Sequence, residues 1–143
     1  MFEYIENSNV ILDEIGSDNP FHFSDIMKIE YNIEENIFNK KRSVLNLDLK
    51  TKFSKKPQVM LSKFKFNNVS ELSLKEVTNI DVYDRLIIKD MRNEPMDWPS
   101  DKRYHVHDDS GYGENNGYNY INFYCESIEA IGLEKFPYGD FWI

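Results

Sequence analysis

Ser43-Val44-Leu45-Asn46-Leu47-Asp48-Leu49-Lys50-Thr51-Lys52-Phe53 is the stretch on which the fold turns. Leu45, Leu47, Leu49 and Phe53 recur in a two-residue rhythm broken only at Thr51, and Asn46, Asp48, Lys50 and Lys52 fill the gaps. That period sets the apolar groups on one face of a β-strand and the polar groups on the other. Upstream, Met27, Ile29, Tyr31 and Ile33 alternate with Lys28, Glu30, Asn32 and Glu34, which predicts an earlier strand with a clean polar face. Glu34-Glu35-Asn36 reads as the turn between the two. Lys55-Lys56-Pro57 breaks the Ser43–Phe53 strand, because proline cannot donate to a ladder. A third strand is expected from about Val59 to Phe66. Its apolar phase shifts from Val59 and Leu61 to Phe64 and Phe66, which suggests a bulge.

The rhythm continues downstream. Asn67-Asn68 marks a turn, and Val69 to Leu74 reads as a short edge strand. Ile80 to Lys89 reads as a strand, Asp90 to Asp101 as a loop holding Pro95, Trp98 and Pro99, and Arg103 to Asp108 as another strand. Asn116-Gly117 is a hairpin signal, since both residues tolerate the positive φ of a tight turn. The returning segment, Tyr118 to Cys125, is apolar on both faces and is expected to be central. Ile128 to Leu133 supplies a last strand before an aromatic tail, Phe136 to Ile143. At the other end, Ser8 or Asn9 caps a short helix whose Ile11, Leu12 and Ile15 face inward and whose stop is Gly16. The pattern has about eight strands and no alternating long helices. It predicts a mainly β, single-domain chain over residues 1–143, an antiparallel β-sandwich or strongly curved sheet with a short N-terminal helix.

Composition narrows the function classes. A chain of 143 residues is the usual size of one domain and can bury a core without staples. The net charge, 17 − 25 = −8, argues against general nucleic-acid binding, which needs a basic surface. Charge is unevenly spread: Lys40 to Lys65 holds nine basic residues and one acid, Asp48. Either this is a solvated strand face with a lysine-rich edge that resists pairing, or the surface is bipolar and steers partners. Cys125 is the only cysteine, so no internal disulfide is possible, as suits a reducing cytoplasm. No signal-like leader opens the chain and no apolar run approaches bilayer length, so a cytoplasmic protein without membrane contact is expected.

Few residues carry chemistry. His105 and His107 share a strand face, and Asp108 or Asp109 stands nearby as a further metal ligand, but spacing fixes no third ligand. Gly111-Tyr112-Gly113 with Gly117 has the wrong spacing for a dinucleotide loop and reads as a flexible hairpin. Cys125 lies within an apolar strand, as a small buried hydrophobe would. Tyr112, Tyr118 and Tyr120 cluster around one hairpin beside acids, as in protein-binding patches, although core packing explains some of them equally well.

Three segments together resemble a known family. Gly16 followed by Asn19-Pro20-Phe21-His22-Phe23-Ser24-Asp25-Ile26 resembles the opening Gly…Trp-Pro-x-Phe-His-Asp-Ala-Glu-Ile pattern of the immunity protein 50 family. Phe66-Asn67-Asn68-Val69-Ser70-Glu71-Leu72-Ser73-Leu74 is similar to its Phe-x-x-Val-x-x-Leu strand, and Ile121 to Glu129 resembles its closing strand pair. The resemblance implies a small, cytoplasmic, β-rich antidote that binds and blocks a bacterial toxin, with no cofactor, no metal and no catalysis. The expected contact set joins Asp108, Asp109 and Glu114 with Tyr112 and Tyr118. A structural expectation stands beside it for Phe21 and His22, as an aromatic plug and a polar latch at the mouth of the first strand. The alternatives are a metal- or small-ligand-binding enzyme built on the His105/His107 strand, and a self-associating β-module.

Overall fold

Alternation along the chain is realised as ladders in the computed structural model, which describes residues 2–75, 81–93, 99–108 and 120–138. The strands are β1 (Ile5–Glu6), β2 (His22–Glu35), β3 (Lys41–Thr51), β4 (Met60–Asn67) and β5 (Ser70–Leu74), then β6 (Asp81–Asp90), β7 (Tyr104–Asp108), β8 (Ile121–Cys125) and β9 (Ser127–Lys135). One helix, α1 (Asn9–Ile15), follows β1. The strand order is β1-β9-β4-β3-β2-β6-β7-β8-β5. Every pairing is antiparallel except the two-residue β1, which lies parallel to β9. The mainly β sandwich or curved sheet expected from the sequence is what forms.

Two layers result, β1-β9-β4-β3-β2 and β6-β7-β8-β5, joined where β2 meets β6. Two connections also cross between the layers at one corner. β4 passes into β5 through Asn68 and Val69, and β8 passes into β9 through Glu126. The Glu126 N–H donates to the Asn67 carbonyl at 2.9 Å, and Asn68 Nδ2 donates to Glu126 Oε2 at 3.0 Å. Asn68 and Glu71 take positive φ values of 56° and 54° there, which lets the strand switch layers.

Leu45, Leu47 and Leu49 meet Phe64 and Phe66 on the inner face of the first layer, against Tyr104, Val106, Ile121, Phe123 and Cys125 of the second. Phe66 and Phe123 meet edge to face with centroids 5.1 Å apart. Each such large side chain contributes about 1.5–3 kcal/mol of burial, so the two-residue rhythm is also the main source of stability. Helix α1 is too short to persist by propensity. Ile11 and Ile15 are buried and hold it to the core, and Gly16 ends it at φ 70° with its N–H on the Leu12 carbonyl. Ser8 takes the N-cap place but makes no side-chain capping bond.

Three expectations need correction. The turn after the first strand is not Glu34-Glu35-Asn36. Glu34 and Glu35 extend the ladder opposite Arg42 and Lys41, and the Asn36 side chain organises the following turn by accepting from Phe38 N–H and Lys40 N–H. The bulge expected in the third strand lies instead in its partner. β4 runs in unbroken register with β3, whereas Ile131 of β9 is the extra residue opposite Lys63 and Phe64. The lysine-rich segment is not a sheet edge either, because β3 and β4 are interior strands.

Charge segregation along the chain becomes charge matching across the sheet. Acidic β2 flanks β3, and β9 flanks β4. Lys50 pairs with Asp25 (3.5 Å), Arg42 and Lys65 with Glu34 (both 3.0 Å), and Lys63 with Asp48 and Glu134 (3.2 and 3.3 Å). The Lys65 and Arg42 hydrogen bonds hold the Glu34 carboxyl below its ordinary range. A strand run of one sign therefore needs no partner molecule to explain it, because its neighbours carry the opposite sign.

Candidate functional site

Asp108 ends β7, and the alternation of that strand decides its role. Tyr104, Val106 and Asp108 face the core, while His105 and His107 face the other way. Asp108 is 0% exposed, and its Oδ1 accepts the N–H groups of Tyr120 and Ile121 at 3.0 and 2.9 Å. It fastens the start of β8 and presents no carboxylate on the surface, so it leaves the expected contact set. Asp109, Tyr112, Glu114 and Tyr118, like the Asn116-Gly117 turn, lie outside the described residues.

The histidine strand forms a compact polar face. The His105 and His107 rings are 4.7 Å apart, and His105 stacks on Tyr124 at 4.5 Å. His105 Nε2 meets Asn122 Oδ1 at 2.5 Å, and His107 Nδ1 lies 2.9 Å from the Asp108 carbonyl. A carbonyl only accepts, so Nδ1 of His107 is the donor in that contact. Burial draws the His105 pKa down, with His107 and Lys89 adding to that and Asn122 opposing it. The carboxylate nearest in sequence cannot complete a metal site here, because Asp108 lies on the opposite face of the strand. Among the described residues no three His, Cys, Asp or Glu side chains converge.

Phe21 behaves as the expected plug. It is buried, its ring lies 4.8 Å from Phe64 and 5.9 Å from Phe2, and its carbonyl accepts the Leu86 N–H. His22 and the exposed Phe23, at φ 52°, line a shallow cleft with Asp18 and Ser54. Asp18 accepts both the N–H (2.7 Å) and the hydroxyl (2.9 Å) of Ser54, which lowers its pKa and ties two loops together. Cys125 is fully buried, and burial pushes its thiol up, away from nucleophile chemistry.

The strongest surface feature was not anticipated from the sequence. The β4 ladder on β3 ends at Val44 opposite Asn67, so past Ser43 the β2–β3 hairpin has no further ladder partner among the described residues. At its tip Ile37 is 89% exposed and Phe38 74%. Asn36 and Asn39 bracket them, and Asn39 takes the positive φ (61°) that closes the turn. Glu34, Glu35, Lys40, Lys41 and Arg42, on the strand ends that carry this tip, line a groove with both signs of charge. Two large exposed apolar side chains next to charged strand ends have the anatomy of an interface anchor beside a polar rim. The available signal was an apolar pair between two asparagines, which the strand rhythm passes over.

A comparison with models of known families gave no match, and comparisons with curated proteins and with solved structures gave none either.

Proposed function

We propose that this chain is a non-catalytic immunity protein that binds a cognate bacterial toxin domain in the cytoplasm and blocks it. The observation that carries this reading is the β2–β3 tip, where Ile37 and Phe38 stand exposed beside strand ends that carry both signs of charge. A monomeric scaffold gains nothing in stability from holding two large apolar groups in water, whereas a partner's pocket would bury them. The three segments that resemble the immunity protein 50 family supply the class of partner. The net charge of −8 favours a basic one and a salt-dependent association rate.

Titration calorimetry with the toxin domain encoded beside this gene tests the proposal. A one-to-one complex is expected. Replacing Ile37 and Phe38 together with serine should weaken it roughly 100-fold, about 1.4 kcal/mol for each anchor. Absence of a complex with any neighbouring toxin would remove the proposal. The rival reading, an enzyme on the His105/His107 strand, lacks a third converging His, Cys, Asp or Glu side chain among the described residues.

A further inference from the structure

The β2–β3 ladder begins at Asp25 opposite Lys50. Before that pair β2 lies along β6, with Ser24 opposite Val82, and after it β3 ends at Thr51. The cleft that His22 and Phe23 line lies at this fork and has a volume of about 730 Å³. Two groups on its wall are unfavourable for folding alone. Phe23 is 75% exposed and holds φ at 52°, a backbone that a bulky residue rarely adopts. Glycine would remove the strain and the exposed ring together. Thr51 is 6% exposed, yet its Oγ1 has no hydrogen-bond partner among the described residues. A buried hydroxyl left unpaired costs stability, and such a group calls for an explanation. Ser24 Oγ, next to Asp25 on the facing strand, is buried and unpaired as well.

We infer that this cleft binds a neutral sugar ring. A pyranose has an apolar C–H face that lies against an aromatic ring, and a rim of hydroxyls that both donate and accept. Phe23 supplies the aromatic face, and the Thr51 hydroxyl keeps both hydrogen-bonding capacities. Asn19 Oδ1 accepts the Phe21 N–H at 2.9 Å, so the amide N–H groups of Asn19 are the part left to donate. Asp18 Oδ2 accepts both Ser54 bonds, which leaves Oδ1 as an acceptor for a ligand hydroxyl. The charged groups described on this wall are engaged by the wall itself. Asp18 is held by Ser54, and Lys52 Nζ donates to the carbonyls of Phe53 and Lys56. An anion would compete with those carbonyls for Lys52, whereas a neutral polyol need not. The cleft is shallow with one open aromatic ring, so much of the sugar stays in water and millimolar affinity is expected. Ile37 and Phe38 lie past the other end of β2, about 40 Å along the strand, so the sugar site stands independently of the toxin reading.

Titrating the isotope-labelled full chain with the methyl glycosides of glucose, galactose, mannose and N-acetylglucosamine tests this, with amide chemical shifts as the readout. Saturable shifts are expected at His22, Phe23, Thr51 and Ser54 with at least one glycoside. Glycerol, which has hydroxyls but no ring face, and inorganic phosphate should give none. Phe23→Gly suits the positive φ and should fold as the parent does, while weakening binding roughly 10-fold or more. Thr51→Val should weaken binding roughly 10-fold and also raise the urea midpoint, a combination that a purely structural role would not produce. No saturable shift with any of the four glycosides would overturn the inference. So would binding unchanged in Phe23→Gly, a Thr51→Val variant that loses stability, or the same shifts raised by phosphate.

Discussion

Replacing Asp108 with alanine removes a buried carboxylate that accepts two backbone N–H bonds of 3.0 and 2.9 Å at the start of β8. Hydrogen bonds to a charged acceptor contribute about 1.5–3 kcal/mol each, and an orphaned buried donor costs about 1–3 kcal/mol. The Ile121 N–H is buried and would be left without its acceptor, whereas the part-buried Tyr120 N–H can find water. The expected loss is therefore about 2–4 kcal/mol for Asp108→Ala. Asp108→Asn keeps an acceptor oxygen in place and loses only the charge, for a cost of about 1 kcal/mol. A chain of this length unfolds with an entropy of about 0.3 kcal/mol/K, so the alanine variant should melt about 7–13 °C lower and the asparagine variant about 3 °C lower. Urea unfolding read by far-ultraviolet circular dichroism, with thermal melts beside it, measures both. An alanine variant within about 0.5 kcal/mol of the parent, or an asparagine variant worse than alanine, would refute the structural role given to Asp108.

The two glycines the structure describes should respond in opposite directions. Gly132→Ala should stabilise by about 0.4–1 kcal/mol, because no atom lies within 4 Å of an added Cβ and strand backbone suits alanine. Gly16→Ala should destabilise, because φ is +70° and the Cβ would come within 2.6 Å of Lys55 Nζ; equal urea midpoints for the two variants would contradict this. Burial lowers the folded-state pKa of His105 below its ordinary 6.5, with Asn122, His107, Lys89 and Glu71 facing it. Its stabilising effect is thus present above about pH 6.5 and lost as pH falls through the folded value. Between pH 7.5 and pH 5.5 the parent should lose more stability than His105→Phe, which keeps the stack on Tyr124; equal losses would remove His105 as the cause.

How much the sequence reveals depends on range. Burial alternates with strand period, so Leu45, Leu47 and Leu49, and Tyr104 and Val106, announce their inward face directly. Strand ends are less legible, because Glu34 and Glu35 look like turn residues until Arg42 and Lys41 lie opposite them. β1 escapes notice because two residues carry no period, and its place beside β9 depends on contacts more than a hundred positions away. The lysine-rich run misleads for a related reason: only strand order shows that Glu34 and Glu134 neutralise it. Asp108 is the sharpest case. Beside Asp109 it looks like surface charge, but strand parity turns it inward with Val106, a reading the alternation of Tyr104 to Asp108 already permitted. The hairpin tip is visible only as an interruption of the rhythm. Its exposure follows from where the β4 ladder stops.

Growth of cells expressing the toxin domain encoded beside this gene tests the proposed function most directly. Co-expression of the parent chain should restore growth, and co-expression of the Ile37→Ser/Phe38→Ser variant, folded and at equal abundance, should not. Cells that die equally with the parent chain, or that are rescued equally by the tip variant, would contradict the binding role of the β2–β3 hairpin.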